Sequence, residues 1–144
     1  MSDYSAAPRI LYIDNNRPDG GGLVSLLRRA DNRRFRVSTA STASRALELI
    51  ASEPFDLLIL EHHLPEMSGV ELCRRIRQID KRTPILFFTG RMRRAECDVS
   101  IAAGATEYLV APVSEENLVE TVRRLLNEFH AAKPNNQSAC CLAK

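Results

Sequence analysis

Three oxygen-bearing side chains stand where an apolar run of this chain stops. Asp14 follows Arg9-Ile-Leu-Tyr-Ile13, Glu61 follows Leu57-Leu-Ile-Leu60, and Thr89 follows Ile85-Leu-Phe-Phe88. An acid that ends a buried run is either the first solvated residue or a group held in a crevice for chemistry. Other residues invite chemistry at closer spacing. His62 and His63 follow Glu61 at once and suggest a metal site or a phosphohistidine. Neighbouring residues of an extended segment point opposite ways, so the pair reads as loop. Gly20-Gly-Gly22 lacks the Lys-Ser/Thr of a phosphate loop and the G-x-G-x-x-G spacing of a dinucleotide site; it delays the first helix. The four cysteines, Cys73, Cys97, Cys140 and Cys141, form no C-x-x-C pair and have no histidines at ligand spacing, which argues against structural zinc.

The elements that must position these groups follow from periodicity. Residues 9–14, 56–61 and 84–89 are short continuous apolar runs, which fit strands covered on both faces of a parallel sheet. Residues 34–39 alternate, with Phe35, Val37 and Thr39 on one face and arginines on the other, the pattern of a charged edge strand. Glu107-Tyr-Leu-Val110 is a fifth, shorter strand. Between them the period becomes helical, through Leu23, Leu26, Leu27 and Ala30, then Ala43, Ala46, Leu47 and Ile50, then Leu72, Ile76 and Ile79. The fourth helix, about residues 93–103, is weakly patterned. The fifth carries Leu118, Val122, Leu125, Leu126 and Phe129 on one stripe, with Ser114 as its N-cap. Five strand–helix alternations imply right-handed crossovers and an α/β doubly wound sheet, flavodoxin-like, in the order 2-1-3-4-5. Ligands of such sheets bind outside the carboxyl ends of the strands. Asp14, Glu61 and Thr89 are therefore expected in one crevice.

These residues carry a resemblance. "ILYIDNN", "DLLILEHHLPEMSG", "PILFFTG" and "GATEYLVAPVS" resemble the four motif regions of a response-regulator receiver domain, in order and spacing, over about residues 9–130. The resemblance implies a phosphoryl transfer from a histidine kinase to an aspartate ending the third strand, whose place Glu61 takes. It implies an acidic pair for magnesium, which here reads Asp14-Asn15. His63 falls where receivers offer a backbone carbonyl to that magnesium. It implies a hydroxyl that holds a phosphoryl oxygen, matched by Thr89, and an aromatic that turns inward on activation, matched by Tyr108. The lysine that neutralises the phosphoryl charge is replaced by Ala111, before Pro112, and the Ala111–Pro112 bond is expected to be cis, as receivers bend their last loop there.

Each departure weakens that chemistry. Phosphoryl transfer depends on positioning and on stabilising charge at the equatorial oxygens. Asn15 removes one formal charge from a magnesium site that favours carboxylates. Losing a preorganised contact such as the lysine commonly costs ~3–4 kcal/mol of transition-state stabilisation. Glu61 pushes its carboxylate roughly 1.5 Å beyond an aspartate's, and a 1 Å misplacement can cost about a hundredfold. Glu61 then has two open readings. It is a partial mimic of phosphoaspartate, carrying one negative charge where the modified residue carries about two, or it is simply a degenerate position.

Composition bounds the rest. At 144 residues and a formal charge of +2 the chain suits one domain and lacks the basic excess of a nucleic-acid-binding protein. Residues 1–8 read as a flexible arm with no signal peptide, residues 9–130 as the receiver-like domain, and residues 131–144 as a disordered polar tail in which Cys140 and Cys141 are reduced. No apolar stretch reaches the ~20 residues that span a bilayer. The chain is expected to be cytoplasmic and non-enzymatic, with no cofactor and with magnesium binding weak or absent. No metal site is assigned; Asp14 and Glu61 are the carboxylates a cation would use. The leading expectation is a stand-alone pseudo-receiver in bacterial signalling, which binds another signalling protein independently of phosphorylation. The resemblance places that partner on the helix 4–strand 5–helix 5 face, where Arg91, Arg93 and Arg94 open the fourth helix. The alternatives are a low-efficiency phospho-accepting regulator and, behind it, a nucleic-acid-binding protein. Interleaved acids explain most of the other arginines as solvated faces.

Overall fold

Leu57-Leu-Ile-Leu60 is buried at every position, so no face of this segment is left for water. A strand of that kind needs helices on both sides, and the computed structural model supplies them. It describes residues 7–14, 21–29, 35–89, 94–110 and 114–131, with the backbone alone at Gly21, Gly22, Thr89, Arg94 and Ala95. Strands β1 (Arg9–Ile13), β2 (Arg36–Ala40), β3 (Leu57–Leu60), β4 (Ile85–Thr89) and β5 (Glu107–Val110) alternate with helices α1 (Gly21–Arg29), α2 (Ala43–Ser52), α3 (Gly69–Ile79), α4 (Arg94–Ala103) and α5 (Glu115–Ala131). The sheet order is β2-β1-β3-β4-β5, all parallel, as the periodicity predicts.

Successive strand residues face opposite sides, which divides the core in two. Leu11, Ile13, Leu58, Leu60, Ile85 and Phe87 pack beneath α2 and α3, with Ala103 of α4 against them. Ile10, Tyr12, Leu57, Ile59 and Leu86 pack beneath α1 and α5, against Leu27, Val122 and Leu125. Each fully buried Leu, Ile or Phe contributes roughly 1.5–3 kcal/mol. No helix among the described residues is long and apolar enough to cross a membrane.

Helix starts are capped. Thr42 accepts from the Arg45 N–H, Ser68 from the Glu71 N–H, and Ser114 from the Asn117 N–H as expected. Three sequence expectations change. Gly21 and Gly22 lie within the first turn of α1 rather than ahead of it. Strand β2 begins at Arg36, with Phe35 and Val37 still buried. Ile79, placed on the α3 stripe, is 59% exposed. The buried face of α3 centres on Gly69, Cys73 and Ile76, and Ile79 lies on its flank in the last turn. Ala30 falls outside the described residues, as do Cys140 and Cys141 of the tail.

Arg77 of α3 stitches the next loops together. Its guanidinium donates to the carbonyls of Gly104 at 2.9 Å, Asp80 at 3.0 Å and Thr83 at 2.8 Å. Burial lowers its pKa, with Cys73 and Asp80 opposing that shift. Gly104 meets Arg77 at φ 121°, a conformation glycine adopts without penalty. At the amino end of the sheet, Asp56 accepts from the Arg9 N–H at 2.8 Å and pairs with His130 Nε2 at 3.1 Å. The start of β1 and the end of α5 therefore share one carboxylate. Cys73 and Cys97 are buried free thiols, and burial pushes Cys73 up to about 11.

Candidate functional site

Parallel pairing brings the three strand ends together. Ile13 pairs with Leu60 and Leu60 with Phe87, so Asp14 and Glu61 leave β1 and β3 side by side, with Thr89 two residues past Phe87. The backbone continues the ladder beyond the strands: the Glu61 N–H donates to the Ile13 carbonyl at 3.0 Å, and the Asp14 N–H to the Ala40 carbonyl at 3.1 Å. Asp14 is buried and Glu61 half-buried. The expected meeting of Asp14 and Glu61 at the carboxyl end of the sheet is thus present. The Thr89 side chain, Asn15, Ala111, the Ala111–Pro112 bond, Arg91 and Arg93 lie outside the described residues, and Arg94 is described by its backbone alone.

Tyr12 was not singled out from the sequence, yet its phenol donates to Asp14 Oδ2 at 2.7 Å. The signal was the period of two in the strand, which sets residues 12 and 14 on one face. This bond fixes the Asp14 carboxylate and occupies part of one oxygen.

Past Glu61 the chain turns sharply into α3. The Gly69 N–H donates to the His62 carbonyl at 2.7 Å, and His63 bridges to Ser68. A Cβ at Gly69 would collide with the Glu61 carbonyl oxygen and stand 2.9 Å from Phe87 Cε2 and 3.1 Å from His62 Cα. Gly69 is therefore the residue that lets α3 start directly against the Glu61 loop. Glu66, also in this loop, accepts from the backbone and hydroxyl of Ser44, which lowers its pKa.

Both histidines lie in the loop between β3 and α3, as expected, but the His62 ring is buried there whereas His63 is exposed. The His62 ring lies 6.0 Å from that of Phe87 and 5.0 Å from that of His63, and it is 9% exposed. Neither ring nitrogen has a hydrogen-bond partner among the described residues. Burial, then the neighbouring His63, lowers its pKa, with Glu96 and Glu61 pulling the other way. The ring packs beside Phe87, and burial disfavours its charged form.

Phe87 also joins the site to β5, where Tyr108 is its register partner. Tyr108 is half-buried and packs on the same core as Phe87 and Val70. On the elements beside Tyr108, Val99 and Ile101 of α4 and Val110 of β5 are 44%, 45% and 37% exposed. They are three of the four large apolar side chains exposed among the described residues. Glu107 pairs with Arg124 beside them, joining β5 to α5.

Comparison with known proteins agrees with this architecture. The response regulator receiver domain family matches residues 10–123. The chain is 36% identical over 118 residues to response regulator MprA of Mycobacterium ulcerans, covering 82% of this chain and 50% of that protein. It thus spans about half the length of that relative. It is 29% identical over 124 residues to the two-component response regulator ORR11 of Oryza sativa subsp. indica, covering 84% of this chain and 82% of that one. Among solved structures it resembles a response regulator receiver domain protein (CheY-like) from Methanospirillum hungatei JF-1. The TM-score is 0.81 at 26% identity, over 89% of this chain and 100% of that one. With a family match across most of its length and the strand order that such domains share, the chain belongs to the response regulator receiver domain family.

Proposed function

We propose that this receiver domain works as a pseudo-receiver, a phosphorylation-independent interaction module of two-component signalling. One observation carries the reading: Glu61 stands beside Asp14 at the carboxyl end of β3, the position of the phosphoacceptor in receivers. A longer carboxylate is there, with Asn15 and Ala111 in place of an acid and a lysine. The donor set fits magnesium poorly. Asp14 already accepts from the Tyr12 phenol, and the adjacent position is a neutral amide.

In this reading the partner docks on α4, β5 and α5. The exposed Val99, Ile101 and Val110 support it, because apolar groups on a solvated face gain from being covered. Tyr108 links that face to the Glu61 loop through Phe87. Thr89 and Tyr108 are the switch pair in this reading, and the Glu61 carboxylate is the group that would set them if it acts as a charge mimic.

Incubation with a small-molecule phosphodonor and magnesium tests the site. Intact mass should not rise, and amide signals at Glu61 and Tyr108 should not move. The triple variant Asn15→Asp, Glu61→Asp, Ala111→Lys should gain acid-labile mass, while Glu61→Asp alone should not. Stoichiometric labelling of the wild type would instead establish the phospho-accepting alternative. For the surface, partners retained from native extract should be lost by Tyr108→Ala and by the Arg93→Ala, Arg94→Ala pair. Wild-type binding by both variants would refute it. Loss of binding on Glu61→Gln identifies Glu61 as a charge mimic; retention identifies a degenerate pocket.

A further inference from the structure

Five of the nine residues from Arg28 to Arg36 are arginines, with Asp31 as the one acid among them. As sequence they read as solvated faces and edge protection. Packing of α1 against β2 changes that reading. Arg28 and Arg29, in the last turn of α1, come together with Arg36, the first residue of β2, around an open hollow of about 640 Å³. Ser25 and Ser38 add hydroxyls to its wall, and buried Phe35 adds an apolar floor. Among the described residues no carboxylate lines it.

Existing contacts leave most of this donor capacity outward. Arg28 uses one N–H to reach the Val37 carbonyl at 3.1 Å, which holds the guanidinium at the rim. Its other four N–H donors have no partner among the described residues. Arg29 meets Glu115 only at 3.9 Å, both side chains being well exposed. Arg36 forms no ion pair among the described residues. Arg9 also lines the hollow, but its guanidinium is paired with Glu53 and lies 5.0 Å over the Phe55 ring. Edge protection accounts for a charge on β2. It does not account for the last turn of α1 converging on the same hollow.

We infer that this hollow is a binding site for a small polyphosphate. Guanidinium forks match phosphate oxygens in bidentate geometry, and several forks on two elements favour a ligand with several phosphates over a lone carboxylate. The volume falls within the range of small-molecule clefts. A nucleic-acid surface is disfavoured by the formal charge of +2 and by the burial of Phe35, the one aromatic in the hollow, which leaves no ring for base stacking. The hollow sits at the amino ends of β1 and β2, at the pole opposite Asp14 and Glu61, so the site is independent of the reading given above for Glu61.

The test is titration of the full chain with inorganic triphosphate at low ionic strength, by calorimetry and by amide shifts. Sub-millimolar binding with shifts confined to Ser25 and Phe35 through Ser38 is expected. Arg36→Gln should weaken it about tenfold, and Arg28→Gln with Arg36→Gln about a hundredfold, as charge-assisted hydrogen bonds are lost. Arg36 is exposed, so its variant separates ligand loss from unfolding, which the urea midpoint checks. Arg75→Gln, on α3, should bind as wild type. Adenosine triphosphate run in parallel distinguishes a nucleotide, bound more tightly, from a ligand recognised by phosphate alone. Unchanged affinity in Arg36→Gln and in the double variant, or tighter binding of a single-stranded oligonucleotide than of triphosphate, overturns the assignment.

Discussion

Gly69→Ala asks whether the start of α3 is held against the Glu61 loop by the absence of a side chain. A methyl there would overlap the Glu61 carbonyl oxygen and stand 2.9 Å from Phe87 Cε2. Comfortable carbon contacts begin near ~3.5 Å, so Phe87 or the helix must retreat by about 0.6 Å. Phe87 is fully buried and has little room to do so. Overpacking of this kind costs about 1–3 kcal/mol. Strain on the 2.7 Å Gly69–His62 hydrogen bond adds about 1 kcal/mol. The stiffer unfolded chain gives back up to about 1 kcal/mol. The net loss is about 2 kcal/mol, or about 1 M in the urea midpoint if the m-value is near ~2 kcal/mol/M. Urea unfolding followed by circular dichroism measures it. Amide shifts should move at Glu61 and His62 and stay fixed at the amino end of the sheet. In a Phe87→Leu background the Gly69→Ala penalty should shrink by about 1 kcal/mol, because one wall of the clash is gone. A change below about 0.5 kcal/mol, the range of ordinary surface substitutions, with Glu61 unmoved would refute the close-approach argument.

Other substitutions probe the same framework. Gly104→Ala meets Arg77 Cγ at 2.6 Å and a φ of 121°, and should lose about 2 kcal/mol in thermal or urea unfolding. His62→Leu replaces two buried nitrogens that lack partners among the described residues, and should raise the unfolding free energy by about 1 kcal/mol. A loss of similar size would show that the ring is satisfied after all. Burial alone would raise the Asp80 pKa, but the Thr83 hydroxyl and N–H, the Arg82 N–H and the Arg77 charge together lower it. A depressed folded-state value stabilises above the ordinary carboxylate range. Its contribution fades as pH falls through the depressed value. Asp80→Asn should therefore be less stable than wild type at neutral pH, with the gap closing only below about pH 4; a gap that widens toward acid would reverse the assignment.

How much was legible before the structure varies by element, for physical reasons. Strands β1, β3 and β4 were plain because a strand covered on both faces is apolar at nearly every position, and the order of the sheet followed from the alternation of β2. Asp14 and Glu61 were legible through topology, since parallel strands collect their carboxyl ends. Helix α4 was obscure because its pattern is inverted. Small Cys97 and Ser100 face inward, while Val99 and Ile101 face water. His62 was legible as a loop residue but not as a buried one, since a polar ring after a strand suggests exposure. Tyr12 could have been found from the period of two, but the role of Arg77 depends on a side chain meeting the carbonyls of two loops. Composition does not encode such meetings, and neither does it encode the convergence of Arg28 with Arg36.

The carboxylate of Asp56 has a consequence for connectivity. Because the first strand and the last helix both reach it, the entry and exit of the folded body lie at one pole, within hydrogen-bond reach of a single side chain. A short bridge from residue 131 back to residue 7 would close the backbone into a ring without crossing either helical layer. Circular permutants opened at an exposed turn, such as that following Asp80, are therefore topologically available. The same geometry governs fusion. A neighbour fused directly at residue 7 or at residue 131 would start from the pole that holds Arg9 and His130, opposite Asp14 and Glu61.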